Sequence, residues 1–334
     1  MTPKSQNSPI LVMAFSRPKL LRSLLSEIDL LEPRAVHISV DGADLNSSQT
    51  KANMLVKELV SDWSITSKHE VTYNFNTLNL GLLDHFKSAL ESFFQNHKAG
   101  IILEDDMEFD NAFIEFIDQI HMTNSMYEYW SICGHNPLPR NDKSNFESQG
   151  VKMFETNVHT IWGWATTKES VFSYLRFLSL EKEMVLSLLE TQVAAISRDP
   201  LIRHLLLENW RRKVNRFFNS DKPNWDNLWV VAGWNSGKKS LMPKISLSRE
   251  NPDQTEGQTH SHETAFQPWI KGCGTQFEII GIDKKTGRRL ERELLKVWGV
   301  SRKNALYSLF QIALKLIERR KILNSKKNGR LHES

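Results

Sequence analysis

Short apolar runs alternate with stretches of helical spacing through the first third of this chain. Ile10–Ala14 and Ile101–Leu103 are continuous apolar runs, which is typical of strands buried on both faces. Between them, leucine and phenylalanine recur with helical spacing at 18–31 and 83–94, which predicts helices. Further strands are predicted at 36–40 and 71–75, and a further helix at 50–61. This alternation predicts an α/β fold in three layers, with helices on both faces of a mostly parallel sheet.

Charged and turn-forming residues follow three of the predicted strands. Ser16-Arg17 follows the first strand, Asp41-Gly42 follows the second, and Glu104-Asp105-Asp106 follows Ile101–Leu103. Ligands of such sheets bind at the carboxyl ends of the strands. We therefore expect these three segments to form one site.

The acidic triplet, Glu104-Asp105-Asp106, is the sharpest chemical signal in the chain. Three consecutive carboxylates repel one another at the end of a buried strand, where water screens charge poorly. A divalent cation relieves this repulsion, and Mg²⁺ or Mn²⁺ commonly takes one or two carboxylates together with substrate phosphates. The alternative is a solvated acidic turn that caps a helix beginning near Asp110. The position after a buried strand favours the cation.

Arg17 and Asp41 have side chains that suit a phosphorylated ligand. A guanidinium neutralises phosphate, and a carboxylate accepts hydrogen bonds from a base or a ribose. The sequence contains neither a Walker-type phosphate loop nor a Gly-x-Gly-x-x-Gly motif. Kinases, GTPases and dinucleotide-binding enzymes therefore lose their main support.

Two segments are dense in tryptophan, one from Trp162 to Trp164 and one from Trp225 to Trp229. Tryptophan is usually buried, so core packing is one explanation. The glycine between Trp162 and Trp164, and Asp226 among aromatic rings, also fit the wall of a pocket for a sugar ring. The sequence does not distinguish core packing from a sugar pocket. If the segments form a pocket, Trp164 is a candidate contact of the donor sugar.

The order of these motifs resembles that of the nucleotide-sugar glycosyltransferases of the GT-A fold, in particular N-acetylglucosaminyltransferase I and its bacterial relatives. The resemblance covers roughly residues 10–265 and is clearest at 10–17, 38–42, 84–90, 101–116, 225–226 and 243–260. It implies that Arg17 contacts a phosphate and that Asp41 and His85 lie at the uracil base. It also implies that Asp106 binds the metal directly, while Glu104 and Asp105 contact the donor sugar and the ribose. The segment that ends at His260 would close over the nucleotide.

The resemblance further implies that Trp225 and Asp226 form the pair that holds the catalytic base. An inverting transfer needs a group that takes the proton from the acceptor hydroxyl. Asp226 is our candidate, because partial burial between tryptophans makes a carboxylate a stronger proton acceptor. His260 is the runner-up, although its position suits a phosphate or metal contact better. The alternative for Asp226 is an N-cap for a helix over 227–232.

The net charge of +4 conceals two unlike regions. Residues 271–334 hold 16 basic and 6 acidic side chains, whereas residues 1–270 hold 27 basic and 33 acidic ones. Two basic amphipathic helices are predicted in this C-terminal tail, at roughly 288–298 and 303–322. They fit either a helical tail packed on the body or peripheral docking on an anionic membrane.

The composition also indicates the cellular compartment of the protein. Two cysteines, Cys133 and Cys273, cannot staple a fold of 334 residues, which favours a reducing compartment. No apolar run reaches the length of a membrane span, and residues 1–9 lack the apolar core of a signal peptide. We expect a cytoplasmic protein, with peripheral contact at the inner face of the membrane as an option for the tail.

Together these features predict a metal-dependent glycosyltransferase of bacterial type, a hexosyl- or N-acetylhexosaminyltransferase of polysaccharide biosynthesis. Its donor would be a nucleotide sugar, expected to be a UDP-sugar, its acceptor a hydroxyl of a glycan or a lipid-linked glycan, and its cofactor Mn²⁺ or Mg²⁺. The expected catalytic domain spans residues 1–270 and is followed by the basic helical tail at 271–334. Within it we expect a nucleotide-binding half at 10–135 and an acceptor-binding half at 136–270, with a helical insertion at 180–218.

Two alternatives compete with this interpretation. A sugar-phosphate nucleotidyltransferase shares the fold class, but such enzymes carry a Gly-rich phosphate loop after the first strand, which Ala14–Pro18 lacks. A nucleic-acid-binding protein could use the basic tail, yet the tail carries no zinc-binding, helix-turn-helix or RNA-binding signature. We therefore expect no nucleic-acid partner.

Overall fold

The computed structural model describes residues 7–44, 47–137 and 153–253, together with Glu256, residues 295–296, Ser301 and residues 303–304. The strands of the described residues are β1 (Ile10–Ala14), β2 (Ala35–Val40), β3 (Glu70–Phe75), β4 (Ala99–Glu104), β5 (Met107–Phe109), β6 (Ile132–Cys133), β7 (Met153–Thr156), β8 (Trp164–Thr167), β9 (Ser240–Pro243) and β10 (Ser248–Glu250). The helices are α1 (Pro18–Ile28), α2 (Thr50–Thr66), α3 (Gly81–Asn96), α4 (Asn111–Met122), α5 (Lys168–Leu178), α6 (Lys182–Ile196), α7 (Pro200–Asn219) and α8 (Trp225–Ser236), with a 3₁₀ turn at Ser125–Glu128.

Eight of these strands form one sheet in the order β3-β2-β1-β4-β8-β6-β9-β7, and β5 pairs separately with β10. β1 is parallel to both β2 and β4, and β2 is parallel to β3. β8 is antiparallel to β4 and β6, β7 is antiparallel to β9, and β6 is parallel to β9. We call β3-β2-β1-β4 the parallel half and β8-β6-β9-β7 the mixed half. The predicted α/β fold with a mostly parallel sheet is confirmed at this level.

The elements of the first third lie close to their predicted positions. β1 begins and ends at the predicted residues, and β4 extends the predicted run by two residues before it and one after it. α2 is longer than predicted and ends at Thr66. It continues because Trp63 extends the buried face that Val56 and Val60 begin, and that burial stabilises another turn of helix.

β1 shows how helices on both faces bury the sheet. The side chains of Leu11 and Met13 belong to one apolar core, which also contains residues of α3, α5, α6, α7 and α8. Ile10, Val12 and Ala14 belong to a second core, which contains residues of α1, α2 and α4. Successive side chains of a strand point to opposite faces, so the continuous apolar run is explained by burial on both sides.

The helical stretch at 180–218 is confirmed as α6 and α7, with the predicted break at Asp199-Pro200. Pro200 is the first residue of α7, where its missing N–H costs no helical hydrogen bond. The Asp199 side chain accepts a hydrogen bond from the N–H of Leu201 at 3.0 Å and caps this helix.

No helix in the described ranges is long and apolar enough to cross a membrane. The predicted tail helices at 288–298 and 303–322 lie outside the described residues, apart from four positions. One of these, Leu295, is buried and belongs to the core that contains α5–α8. Cys273 lies outside the described residues.

Candidate active site at the carboxyl ends of the strands

The carboxyl ends of β1 and β4 bring Arg17 into direct contact with the acidic triplet. The two strands are parallel neighbours, and the N–H of Asp105 donates to the carbonyl of Met13 at 3.0 Å. The Arg17 guanidinium forms a two-pronged ion pair, in which Nη1 lies 2.5 Å from Oδ2 of Asp106 and Nη2 contacts Oδ1 of Asp105. Asp105 and Asp106 are both buried, and Asp110, rather than the triplet, caps α4. The triplet is therefore a buried acidic cluster and not a solvated capping turn.

Burial and mutual repulsion shift the pKa values of this cluster. Burial raises the pKa of Glu104 to about 8, and the charge of Asp106 adds to that shift. Burial also raises the pKa of Asp105 to about 6, although the Arg17 guanidinium opposes the rise. Burial lowers the pKa of Arg17, but the charges of Asp105 and Asp106 outweigh it and the net shift is upward. The protonated form of Glu104 is therefore favoured, because burial penalises its carboxylate and the Arg17 guanidinium offsets this only in part.

A divalent cation fits this cluster in one particular mode. In the part of the chain that the structure describes, no three His, Cys, Asp or Glu side chains are arranged to hold a metal by themselves. Mg²⁺ and Mn²⁺ commonly take one or two carboxylates together with substrate phosphates. The adjacent buried carboxylates of Asp105 and Asp106 meet that need. These side chains therefore fit a cation that binds together with a phosphate-bearing ligand.

Asp41 organises the loop that leads into α3. Its Oδ1 accepts a hydrogen bond from the N–H of Leu80 at 3.1 Å, and its Oδ2 accepts one from the N–H of Gly81 at 3.1 Å. α3 carries His85, whose Nε2 lies 3.0 Å from the hydroxyl of Ser39. Burial lowers the pKa of His85, although the nearby charge of Asp41 opposes the shift. Asp41 and His85, which we predicted to lie at one base, are therefore neighbours at the end of β2.

A buried asparagine connects the ends of three strands. Asn53 of α2 donates from Nδ2 to the carbonyl oxygens of Phe15 and Asp41, each at 2.7 Å. The N–H of Phe15 in turn donates to Oδ2 of Asp105 at 3.3 Å. One hydrogen-bond network thus ties together the ends of β1, β2 and β4, where ligands of parallel sheets bind.

The first turn of α1 holds a carboxylate directly beside Arg17. Oε2 of Glu256 accepts hydrogen bonds from the N–H of Lys19 at 2.9 Å and from that of Leu20 at 3.1 Å. The first N–H groups of a helix have no partner within the helix and favour negative charge. This helix start therefore accepts an anionic oxygen, as a phosphate site requires.

Asp226 lies in the first turn of α8, which begins at Trp225. The alternative of Asp226 as the N-cap of a helix over 227–232 is wrong, because Asn224 is the N-cap of α8. Asp226 is half-buried. Burial of Glu104 is the largest cause of its raised pKa, and the negative charge of Asp226 adds to that rise. The candidate base therefore lies within electrostatic range of the acidic triplet.

The aromatic residues beside Asp226 pack as a core. The ring of Trp225 stacks on Phe86 with centroids 3.6 Å apart, and the Tyr174 hydroxyl donates to the carbonyl of Trp225 at 3.0 Å. Trp164 is 1% exposed, and its ring centroid lies 6.1 Å from that of Trp225 and 4.6 Å from that of Trp229. Core packing thus accounts for Trp164, which corrects the expectation that its ring contacts the donor, since no face of it is open to a ligand.

Sequence reasoning missed three polar residues that shape this site: Asn53, Tyr174 and Glu256. Asn53 and Tyr174 lie within helical stretches, and the sequence carries no signal that distinguishes them from surface residues. Glu256 lies in a polar loop that was expected to close over the nucleotide. Its contact with α1 joins two segments that are far apart along the chain, so the sequence alone does not predict it. Trp162, unlike Trp164, is only half-buried.

His260, the runner-up for the general base, lies outside the described residues. No protein-family model matches this chain, and a search of curated proteins found no match either.

Proposed function

We propose that this protein is a metal-dependent glycosyltransferase of the GT-A fold, which transfers a sugar from a UDP-sugar to a hydroxyl of a glycan or lipid-linked acceptor. The observation that carries the proposal is the contact of Arg17 with Asp105 and Asp106 at the adjacent ends of β1 and β4. It brings together a guanidinium that suits phosphate and carboxylates that suit a divalent cation. A nucleoside diphosphate needs both groups.

The ends of the parallel strands offer a partner for each part of such a donor. Arg17 and the start of α1 suit the diphosphate, since both favour anionic oxygen. Asp41 and His85, one strand further along the sheet, are the proposed contacts of the base. Glu104 and Asp105 are the proposed contacts of the sugar and the ribose.

In the proposed reaction the acceptor hydroxyl oxygen attacks the anomeric carbon, the bond from that carbon to the diphosphate oxygen breaks, and the configuration inverts. Asp226 takes the hydroxyl proton as the new glycosidic bond forms. The electrons of the broken bond leave with the diphosphate, whose growing negative charge Arg17 stabilises. A divalent cation, when bound, supplies Lewis-acid stabilisation to the same diphosphate.

Asp226 suits the role of base because it lies on a different element from the triplet. Asp105 and Asp106 are engaged with Arg17 on the proposed leaving-group side. Asp226 belongs to α8 and is held by the aromatic core, while its charge still reaches Glu104. We place the reaction in the cytoplasm, a reducing compartment that suits the free, buried thiol of Cys133.

Thermal unfolding of the full chain with a panel of UDP-, GDP-, ADP- and dTDP-sugars tests the proposal. A ligand that binds only the folded state raises its stability by about 2.7 kcal/mol at 100 times its Kd. We expect the midpoint to rise with a UDP-sugar and Mn²⁺ together, and much less with either one alone. If no nucleotide sugar raises the midpoint in the presence of Mn²⁺, the proposed function is wrong.

A further inference from the structure

Arg17 contacts the same carboxylates that a divalent cation needs. Its Nη1 lies 2.5 Å from Oδ2 of Asp106, and its Nη2 contacts Oδ1 of Asp105. The second oxygen of Asp105 accepts a hydrogen bond from the N–H of Phe15. The Arg17 side chain is only 16% exposed, so water screens these contacts weakly. The guanidinium is therefore the counter-charge of the two aspartates in this structure.

A divalent cation and this guanidinium compete for one pair of carboxylates. Two positive groups beside the same buried acids repel each other strongly, because the surroundings have a low dielectric constant. A free cation would have to displace Arg17 and leave a buried guanidinium without an anion. A cation that arrives with a diphosphate avoids this cost, because the diphosphate oxygens become the new partners of Arg17.

The surroundings of Arg17 already accept an anionic oxygen. The N–H groups of Lys19 and Leu20, two and three residues further along the chain, bind the carboxylate of Glu256. A guanidinium that leaves the aspartates therefore has an anion-accepting helix start beside it. Within the protein, Arg17 thus lies where a cation would bind beside the aspartates. The Glu256 carboxylate lies where an anionic oxygen would bind at the start of α1.

We propose that Arg17 makes cation binding conditional on a diphosphate, so that the site selects the metal–diphosphate complex over the free metal. This inference rests on the proposed function and deepens it. The two ligands are then coupled, and each tightens the binding of the other by the same factor. Removal of the guanidinium uncouples them and opens the aspartates to the cation alone.

Mn²⁺ binding to the full chain, measured by the electron paramagnetic resonance signal of free Mn²⁺, tests the inference without reference to turnover. For the unaltered protein we expect UDP to tighten Mn²⁺ binding by about tenfold or more, with the Mn²⁺–UDP complex in solution accounted for. Arg17→Met should bind Mn²⁺ alone about tenfold or more tightly than the unaltered protein, and UDP should add little. Equal binding of Mn²⁺ alone by the two proteins would overturn the inference.

Arg249→Met is the matched control. Nη2 of Arg249 lies 2.7 Å from Oε2 of Glu108, so this change removes the same charge from a part-buried ion pair outside the triplet. It should leave Mn²⁺ binding as it is in the unaltered protein. If it tightens Mn²⁺ binding as much as Arg17→Met does, the effect is one of total charge, and Arg17 has no special role.

Arg17→Lys covers the case in which Arg17→Met does not fold. A single ammonium keeps the charge but cannot bridge both aspartates with two arms, so Mn²⁺ alone should bind more tightly than to the unaltered protein. Binding equal to that of the unaltered protein would count against the inference.

The same titrations separate this inference from the proposed function. If Arg17→Met binds Mn²⁺ more tightly while UDP binds to neither protein, the proposed donor is wrong but the exclusion of free cation by Arg17 stands. If UDP and Mn²⁺ bind together equally well in both proteins and Arg17→Met gains nothing for Mn²⁺ alone, the proposed function stands and the inference falls.

Discussion

The two halves of the eight-stranded sheet contribute to the candidate site in different ways. The parallel half ends in charged side chains, and Arg17, Asp105 and Asp106 meet there through direct ion pairs. The mixed half adjoins an aromatic core, in which Trp225 and Tyr174 hold the start of α8 and with it Asp226. One half thus supplies the groups that suit a donor, and packing behind the other half positions the candidate base.

Charged groups thus form one part of the candidate site, and buried aromatic side chains position the other part. Substitutions of the carboxyl groups in the parallel half should change ligand binding with a modest loss of stability, because relief of repulsion offsets part of the lost ion pair with Arg17. Substitutions in the aromatic core should mainly lower the free energy of unfolding, because its side chains are fully buried. Substitutions in each half test whether ligand binding and stability change separately. We expect the largest change in stability in the aromatic core.

Trp225→Ala should lower the free energy of unfolding by about 3–5 kcal/mol, because it removes a buried ring that stacks on Phe86 and leaves a cavity. Urea unfolding of the two proteins measures the change. Trp162→Ala is the control, since that ring is only half-buried and should cost much less. Equal losses of unfolding free energy from the two substitutions would show that the aromatic core contributes no more to stability than a half-buried tryptophan does.

Asp226→Asn should lower the rate of sugar transfer by about 10²-fold or more, because the amide cannot take the acceptor proton. The affinity for Mn²⁺ and UDP should stay the same, since those ligands are assigned to the other half. Steady-state kinetics and UDP titration separate the two effects. Asp221→Asn, at an exposed position before α8, is the control. Near-normal turnover by Asp226→Asn would move the base to another residue.

Two titratable groups, Glu104 of the parallel half and His159 beside the mixed half, should respond to pH with opposite signs. Burial lowers the pKa of His159, in the segment between β7 and β8, to about 3, well below its ordinary value in the unfolded chain. As the pH falls below about 6.5 the unfolded chain takes up the proton first, so this residue should cost about 2 kcal/mol of stability by pH 5. Burial raises the pKa of Glu104 to about 8, so the folded state keeps that proton and gains stability as the pH falls.

Urea unfolding at pH 7 and pH 5, without metal, resolves these two contributions through variants. His159→Gln should lose less stability than the unaltered protein as the pH falls, and Glu104→Gln should lose more. Identical pH dependence in all three proteins would contradict the assigned shifts, because each variant removes one of the two groups.

Tyr174→Phe should lower the free energy of unfolding by only about 1 kcal/mol, since it removes one hydrogen bond and keeps the ring. Because that bond holds the carbonyl of Trp225, the transfer rate should fall while the affinity for UDP does not. Tyr73→Phe, on the exposed edge strand β3, should change neither quantity. A loss of UDP affinity in Tyr174→Phe would show that the two halves are not separate.

The parallel half is predictable from the sequence because its order along the chain fixes its arrangement. β1 and β4 contain buried apolar runs and β2 lies beside β1, so the carboxyl ends of the three strands meet once the sheet is parallel. The order of the strands alone therefore places Arg17, Asp41 and the triplet at one edge. Periodicity also locates α6 and α7, since Asp199 and Pro200 mark the break between them.

The mixed half is less predictable because its order depends on contacts between distant segments. The segment from Trp225 to Trp229 has no amphipathic pattern, since α8 is buried on nearly all sides, and the sequence indicated a helix here only as an alternative over 227–232. The role of Arg17 as the counter-charge of the triplet was missed for a related reason. A cation was expected there, and only the folded chain brings the guanidinium within reach of both aspartates.

Turnover of a UDP-sugar by Asp106→Asn in the presence of Mn²⁺ tests whether the acidic triplet holds the metal. We expect Mn²⁺-dependent hydrolysis and transfer to fall by about 10²-fold or more, because the amide binds a divalent cation poorly. The thermal midpoint should change little, because relief of repulsion among the carboxyl groups offsets the loss of one arm of the Arg17 ion pair. Asp84→Asn, on the exposed face of α3, should leave both unchanged. Full activity in Asp106→Asn would show that the acidic triplet does not bind the metal and that the proposed function is wrong.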